Sequence, residues 1–305
     1  MNRPNPSRRR SRVWRGVLAV PLIVCAFARV APLDAVPSAH SFLWKATGKQ
    51  GALYLAGSIH MLTPNAYPLN PAFDTAFKDT DLLVEEVDLA EMTAPESQMR
   101  ILMRGRLGEG QSFDKLVSPA TLALLNKSLA PLGPAGEVLK QFKPWMLAIS
   151  LESIELQKSG FDPNLGLDKH FYDLAQETHK EVQGLETVEY QLSLFDEMTQ
   201  DQQDRFLADT LKELATEQAN VGKLATAWKT GDTATVESIG LADLKSDPVM
   251  YRRLLVERNR NWLPKIEALF SRSGRAFVIV GASHVVGPDG LLAMLKAKGY
   301  TLEQL

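Results

Sequence analysis

The sequence is poor in cysteine, since Cys25 is the only one among its 305 residues. Cys25 lies in an N-terminal apolar segment that we expect to be removed, so the mature chain would have no thiol. Disulfide bonds are then excluded as a source of stability. A chain without thiols also suits an oxidising compartment, where a stray thiol is a hazard.

The apolar run at Gly16–Ala28, GVLAVPLIVCAFA, is short for a membrane span and is interrupted by Pro21. It follows a basic stretch and ends in an A-x-A sequence, which is the layout of a secretory signal. We predict a signal peptide over 1–28, a linker over 29–40 and a periplasmic or secreted protein. Two alternatives stay open, an uncleaved N-terminal anchor and a lipidated Cys25. In either of them the N-terminus would hold the protein at a membrane.

The chain also lacks an excess of positive charge. It has 34 Lys and Arg against 36 Asp and Glu, and six Arg but no acid fall within residues 1–28. The mature chain would therefore hold 28 basic and 36 acidic residues, a net charge of −8. Such a chain is a poor candidate for nucleic-acid binding.

Three familiar catalytic motifs are missing. The glycine-rich stretch RGRLGEGQS lacks the Lys-Ser/Thr ending and the preceding strand of a phosphate-binding loop. Neither G-x-S-x-G nor H-E-x-x-H occurs in the chain. Any catalytic site must therefore be found from the arrangement of other residues.

Strand patterns cluster at the two ends of the chain, and helical patterns lie between them. A hairpin is predicted around the turn at residues 47–51, with further strands at Asp81–Leu89, Ala276–Gly281 and the final YTLEQL. The predicted fold class is mixed α/β (α+β), in which a central sheet is built from the N- and C-terminal segments and covered by helices. It forms a single domain over 41–305.

A helical insertion is predicted over about 90–250, with one short strand at Glu181–Glu186. Its longest helix is expected to run from about Asp201 to Thr230. A further helix is expected from Asp247-Pro248 onward, kinked or divided at Pro264.

One pattern occurs twice. ALYLAGSIH ends at His60, and AFVIVGASH ends at His284, 224 residues later. Each is an apolar strand followed by Gly-x-x-His. Ligands of open α/β sheets bind beyond the carboxyl ends of the strands, so two neighbouring strands of this kind would bring both imidazoles to one site.

An acidic residue is expected to complete the site. Glu86 follows the apolar strand LLVE, and a carboxylate in such surroundings costs free energy unless it is paired or bound to a metal. His60, Glu86 and His284 could bind a divalent metal and activate its water. The same residues could also act without metal, as a Glu/His acid–base pair. The residue pattern leaves both possibilities open.

Other residues are weaker candidates. Arg258 and Asn259, with Tyr251 one side of them on the same predicted helix, could bind substrate. Asp168 and Glu186 could orient the histidines.

The ordered motifs resemble the TraB/GumN family, which includes the TIKI metalloproteases. They are YLAGSIHML, LLVEEVDL, KPWMLA, GLDKHF, VQGLETVEYQL, ERNRNW and FVIVGASHVVGPDGLLAMLKAKGY, and they span about residues 41–305. The resemblance implies a mixed α/β domain whose two Gly-x-x-His motifs and Glu86 share one site.

The resemblance also implies a secreted metal-dependent hydrolase, most similar to a peptidase, that uses Mn, Co or Zn. Its substrate would be a peptide or a small molecule. Related folds imply two alternatives, a non-catalytic haem- or ligand-binding module of the ChaN type and an esterase-type hydrolase with a metal-free Glu/His site.

Overall fold

The computed structural model describes residues 40–214 and 218–305. The predicted signal peptide, almost all of the predicted linker and the lipidation alternative at Cys25 lie outside these residues. The described residues fall within one compact unit. Among them, no helix has the length and apolar character needed to cross a membrane.

Six strands of the described chain form one sheet. They are β1 Leu43–Thr47, β2 Ala52–Ser58, β3 Leu82–Glu85, β4 Glu181–Gly184, β5 Ala276–Gly281 and β6 Thr301–Gln304. Their spatial order is β4-β3-β5-β2-β1-β6. The neighbouring pairs β4/β3, β3/β5 and β5/β2 are parallel, whereas β1 is antiparallel to β2 and β6. The sheet is therefore mixed and built mainly from the two ends of the chain, as predicted.

All α-helices of the described residues lie between β2 and β6 along the chain. They are α1 Pro71–Lys78, α2 Leu89–Thr93, α3 Pro95–Gly105, α4 Pro119–Leu129, α5 Pro134–Leu139, α6 Pro144–Lys158, α7 Leu167–Glu177, α8 Val188–Asp196, α9 Gln200–Leu214, α10 Gln218–Lys229, α11 Thr233–Gly240, α12 Ala242–Ser246, α13 Pro248–Tyr251, α14 Glu257–Leu269, α15 Ala282–Val285 and α16 Leu291–Ala297. Short 3₁₀ turns lie at Pro64–Ala66, Phe113–Lys115, Ala130–Leu132 and Pro163–Leu165.

The core lies on the sheet. β2, β3 and β5 are almost wholly buried, which explains their continuous apolar runs. Phe77 of α1 and Phe171 of α7 contact Phe277 of β5, with ring centroids 5.5 and 4.7 Å away, and they cover one face. Burial of such aromatic rings makes a large contribution to stability and fixes the strands that carry the site.

Two sequence-based expectations differ from the structure in detail, and a third agrees with it as far as the described residues extend. The strand predicted at Asp81–Leu89 ends at Glu85, because the Asp88 carboxylate accepts a hydrogen bond from Ala90 N at 2.8 Å and caps α2. The helix predicted over 201–230 corresponds to α9 and α10, which lie on either side of residues 215–217. Pro264 does not divide its helix, since α14 continues through it to Leu269.

The irregular turn of this region lies earlier. Arg252–Val256 is a π-helical turn between α13 and α14, and Arg258 comes two residues after it. Such turns re-aim the side chains that follow them, and they are frequent at functional sites.

Candidate active site

The two Gly-x-x-His motifs lie side by side. β2 and β5 pair in parallel with Gly57 opposite Val280 and Ser58 opposite Gly281. His60 and His284 therefore leave the same edge of the sheet, as the sequence predicted. β3 pairs with β5 on its other side, and it delivers Glu86 to this edge as well.

The three side chains meet around Gly281. A Cβ atom added to Gly281 would lie 3.3 Å from Oε1 of Glu86, 3.6 Å from Cδ2 of His284 and 3.6 Å from Nε2 of His60. These contacts define a space of about the size of a methyl group, bordered by all three predicted residues. The absence of a side chain at position 281 leaves this space open.

His60 is held by Asp168, which lies on α7. Nδ1 of His60 is 2.8 Å from Oδ2 of Asp168, and the Ser58 hydroxyl donates to the same oxygen at 2.5 Å. Because a carboxylate can only accept, Nδ1 carries a proton and Nε2 is left for the Gly281 space. The sequence had suggested Asp168 as an orienting residue, whereas the part of Ser58 was missed.

Asp168 also favours the protonated imidazole. Its negative charge raises the pKa of His60 to about 9, against the effect of burial, and Glu86 adds to this rise. The His60 side chain is nonetheless 64% exposed, because it faces an open cavity. His60 is thus an accessible group that can exchange a proton.

His284 has the opposite environment. It is 7% exposed, and its Nδ1 lies 2.7 Å from Oδ1 of Asn259. The Asn259 amide nitrogen donates to the carbonyls of His284 and Asp289, so its oxygen must accept from Nδ1. Nε2 of His284 then accepts from Nη1 of Arg258 at 2.9 Å. Burial lowers the pKa of His284 to about 3, which keeps this imidazole neutral.

Arg258 is the hub of the buried side of the site. Its Nη2 donates at 2.5 Å both to Oε2 of Glu86 and to Oε1 of Glu186, and its guanidinium lies 4.6 Å from the ring centroid of Trp262. Trp262 in turn donates to Oε2 of Glu186 at 2.8 Å. The planar fork of arginine suits such multiple contacts with carboxylates.

Glu86 is an anion fixed by its neighbours. Burial opposes its charge, but the Arg258 guanidinium and the protonated His60 outweigh that effect and hold its pKa well below the usual range. Gly281 N also donates to Oε1 of Glu86 at 2.7 Å. A carboxylate with so low a pKa is a weak base, and its role is to organise charge at the site.

The arrangement does not fit a divalent metal as it stands. Two of the three predicted ligands, Glu86 and His284, already contact the Arg258 guanidinium through Oε2 and Nε2. A metal cation bound to these atoms would be repelled by the guanidinium. Within residues 40–214 and 218–305, no three His, Cys, Asp or Glu side chains are placed to hold a metal ion. Metal binding by His60, Glu86 and His284 stays a prediction from the residue pattern and the family resemblance.

Of the three predicted substrate-binding residues, only Arg258 lines the cavity. Arg258 borders the cavity beside His60, although its donors are used by Glu86, Glu186 and His284. Asn259 is fully buried and supports His284. The Tyr251 hydroxyl donates to Asp289 at 3.1 Å, and neither Tyr251 nor Asn259 lines the cavity.

The cavity beside His60 has a volume of about 800 Å³. Its inner end is formed by the polar groups described above, and its walls by side chains of the helical insertion. Trp228 of α10 joins the two parts, because its indole N–H donates to the Gly57 carbonyl at 2.6 Å. The volume is within the range of small-molecule sites.

Comparisons with known proteins find related sequences. The sequence model of the TraB/PrgY/gumN family matches residues 42–304. Uncharacterized protein YbaP of Escherichia coli (strain K12) is 26% identical over 243 residues, covering 80% of this chain and 87% of that protein, and the Shigella flexneri YbaP matches equally. No solved structure matches significantly.

Proposed function

The chain belongs to the TraB/PrgY/gumN family, and within that family we propose that it is a hydrolase of esters or amides with His60 as its general acid–base. One observation carries the proposal. His60 is oriented by Asp168 through Nδ1, borders the open space at Gly281 through Nε2, and faces a cavity of substrate size.

The reaction follows from these positions. The oxygen of a water molecule in the Gly281 space bonds to the carbonyl carbon of the substrate, while Nε2 of His60 takes one proton from this water. The electron pair of the C=O bond moves to the carbonyl oxygen. When that pair returns, the bond to the alcohol or amine breaks, and the leaving group takes the proton from His60.

The buried residues support this chemistry without reacting. Glu86 stabilises the positive charge that His60 gains, because it contributes to the raised pKa of that imidazole. Asn259 and Arg258 hold His284 as a neutral wall of the same space. Such fixed charges need no rearrangement during the reaction, which lowers its barrier.

The test uses the full chain with p-nitrophenyl acetate and a small set of peptide p-nitroanilides. We expect His60→Ala to lower kcat/KM at least about 100-fold, in line with the usual contribution of a general base. His179→Asn is the matched control, because His179 is an exposed histidine with φ 56°, a conformation that Asn tolerates. Equal activity of His60→Ala and wild type would refute the assignment.

The same assay separates the metal-free reaction from the metal-dependent peptidase that the family resemblance implies. We expect activity to survive EDTA and to be unchanged by Mn²⁺, Co²⁺ or Zn²⁺. Loss with EDTA and recovery with one of these ions would favour a metal site at His60, Glu86 and His284 instead. A haem absorption band that disappears in His284→Ala, without turnover, would favour the binding-module alternative.

Export is a separate proposal, and it is supported by the basic and apolar pattern of residues 1–28. We expect the protein isolated from its native cells to begin near residue 29 and to be found outside the cytoplasm. Mass spectrometry of the N-terminus tests this. An intact or lipidated N-terminus would support one of the two membrane-anchored alternatives.

A further inference from the structure

Resting on the proposed hydrolase, we infer that the substrate is an amphipathic, uncharged acyl ester whose apolar chain lies in the helix-lined cavity beside His60. The inference concerns the walls of the cavity and their charge, which the acid–base role of His60 does not use.

The walls are lined mainly by apolar side chains that come from several helices. They include Ile149 and Leu156 of α6, Phe206 of α9, Leu224 of α10 and Ile239 of α11. The polar groups of the reaction site lie at the sheet edge around Gly281, and the helical walls carry Glu152, Asp209 and Glu213 among their apolar side chains. A molecule that fits must therefore be apolar along most of its length and polar at the end that reaches His60.

The charge of the lining excludes anionic substrates. Its charged members among the described residues, apart from the histidines, are Glu86, Glu152, Asp209, Glu213, Asp247 and Arg258. Arg258, the one cation in that group, is already bound to Glu86 and Glu186, and His60 has to be neutral to act as the base of the proposed reaction. In that state a phosphate or carboxylate finds no free cation in the described lining and is repelled by the surrounding carboxylates.

Length matters for a chain bound in this way. Each methylene moved from water into an apolar cavity improves binding about fourfold. If the chain lies in the cavity during the reaction, kcat/KM rises along a series of p-nitrophenyl esters from acetate to decanoate. We expect an increase of at least about 100-fold across that series, followed by a plateau where the cavity is full.

Variants that fill the cavity identify where the chain lies. We expect Leu224→Trp and, separately, Ile149→Trp to lower the decanoate-to-acetate ratio of kcat/KM at least about tenfold. Leu124→Trp is the matched control, because Leu124 is an exposed leucine of α4 that does not line the cavity. Circular dichroism checks the folding of each variant, and the test remains possible if only one of the two cavity-filling variants folds. An unchanged ratio in the folded variants would overturn the inference.

Binding without turnover separates this inference from the proposed reaction. Isothermal titration of the His60→Ala protein with decyl maltoside, decyl trimethylammonium and decyl sulfate, each below its micellar concentration, measures the cavity alone. We expect the neutral and cationic probes to bind at least about tenfold more tightly than decyl sulfate.

The outcomes differ for the two proposals. Binding in this order by a protein whose wild type hydrolyses neither the esters nor the p-nitroanilides would support the cavity and refute the hydrolase. Hydrolysis that is indifferent to chain length, with no binding of the decyl probes, would support the hydrolase and overturn the acyl cavity. Tightest binding of decyl sulfate would overturn the charge argument.

Discussion

Arg258→Ala is expected to destabilise the protein strongly. Arg258, Glu86 and Glu186 have side chains that are only 10%, 12% and 4% exposed. Removing the guanidinium leaves two buried carboxylates without their cation. Breaking a buried ion pair in this way costs about 3–5 kcal/mol. For a domain of this size, that corresponds to a fall in Tm of about 6–20 °C.

Differential scanning calorimetry at pH 7 measures the effect. Arg260→Ala is the matched control, because Arg260 is an exposed arginine on the same helix, and its loss should change stability by less than about 0.5 kcal/mol. Adding Glu86→Gln and Glu186→Gln to an Arg258→Met chain should restore much of the lost stability, since no buried charge is then left unpaired. A Tm for Arg258→Ala equal to that of Arg260→Ala would refute the charge network.

Three further predictions follow from the site. Asp168→Asn removes the charge that raises the pKa of His60. In the wild type we expect kcat/KM to rise with pH near pH 9, and in this variant the rise should occur at lower pH. An unchanged pH–rate profile would contradict the His60–Asp168 pair. Glu85 is 2% exposed with an unpartnered Oε1, and burial raises its pKa to about 8. The folded state holds this proton up to about pH 8, whereas the unfolded chain loses it near pH 4.5, so the free energy of unfolding falls between these two pH values. Glu85→Gln should remove that fall, on the order of 3–5 kcal/mol, in urea titrations at pH 5 and pH 9. Gly281→Ala should lower activity at least about tenfold with little change in Tm, because the added Cβ would lie 3.3–3.6 Å from its neighbours. Gly57→Ala should instead lower Tm, because its Cβ would lie 2.4 Å from Cδ1 of Phe42. The reverse pattern would show that the Gly281 space is not where the reaction occurs.

Much of the sheet could be predicted because its signal is local. The apolar runs of β2 and β5 must be buried, and their Gly-x-x-His endings are visible in the chain without any knowledge of contacts. The strand predicted at Asp81–Leu89 is too long. The apolar pattern continues to Leu89, but the Asp88 side chain caps the helix that begins there, so the strand ends earlier.

The helical region was less predictable. Pro264 is a strong local signal for a break, yet α14 passes through it, and the irregular turn lies at Arg252–Val256, where no proline or glycine marks it. Arg258 and Trp262 are buried just after that turn, and their tertiary contacts are not contained in a sequence pattern.

The sequence by itself determined that two histidines and Glu86 follow buried strands, since alternation and burial are properties of neighbouring residues. Only the tertiary structure decided what each of them does. The partners of Arg258 lie 172 and 72 residues away in the chain, and Asp168 lies 108 residues from His60. Equal motifs thereby acquire unequal chemistry: His60 is exposed with a raised pKa, while His284 is buried, neutral and bound to a guanidinium. Protonation depends on the charges and solvent around a group, and those are set by residues that the chain brings together only when it folds.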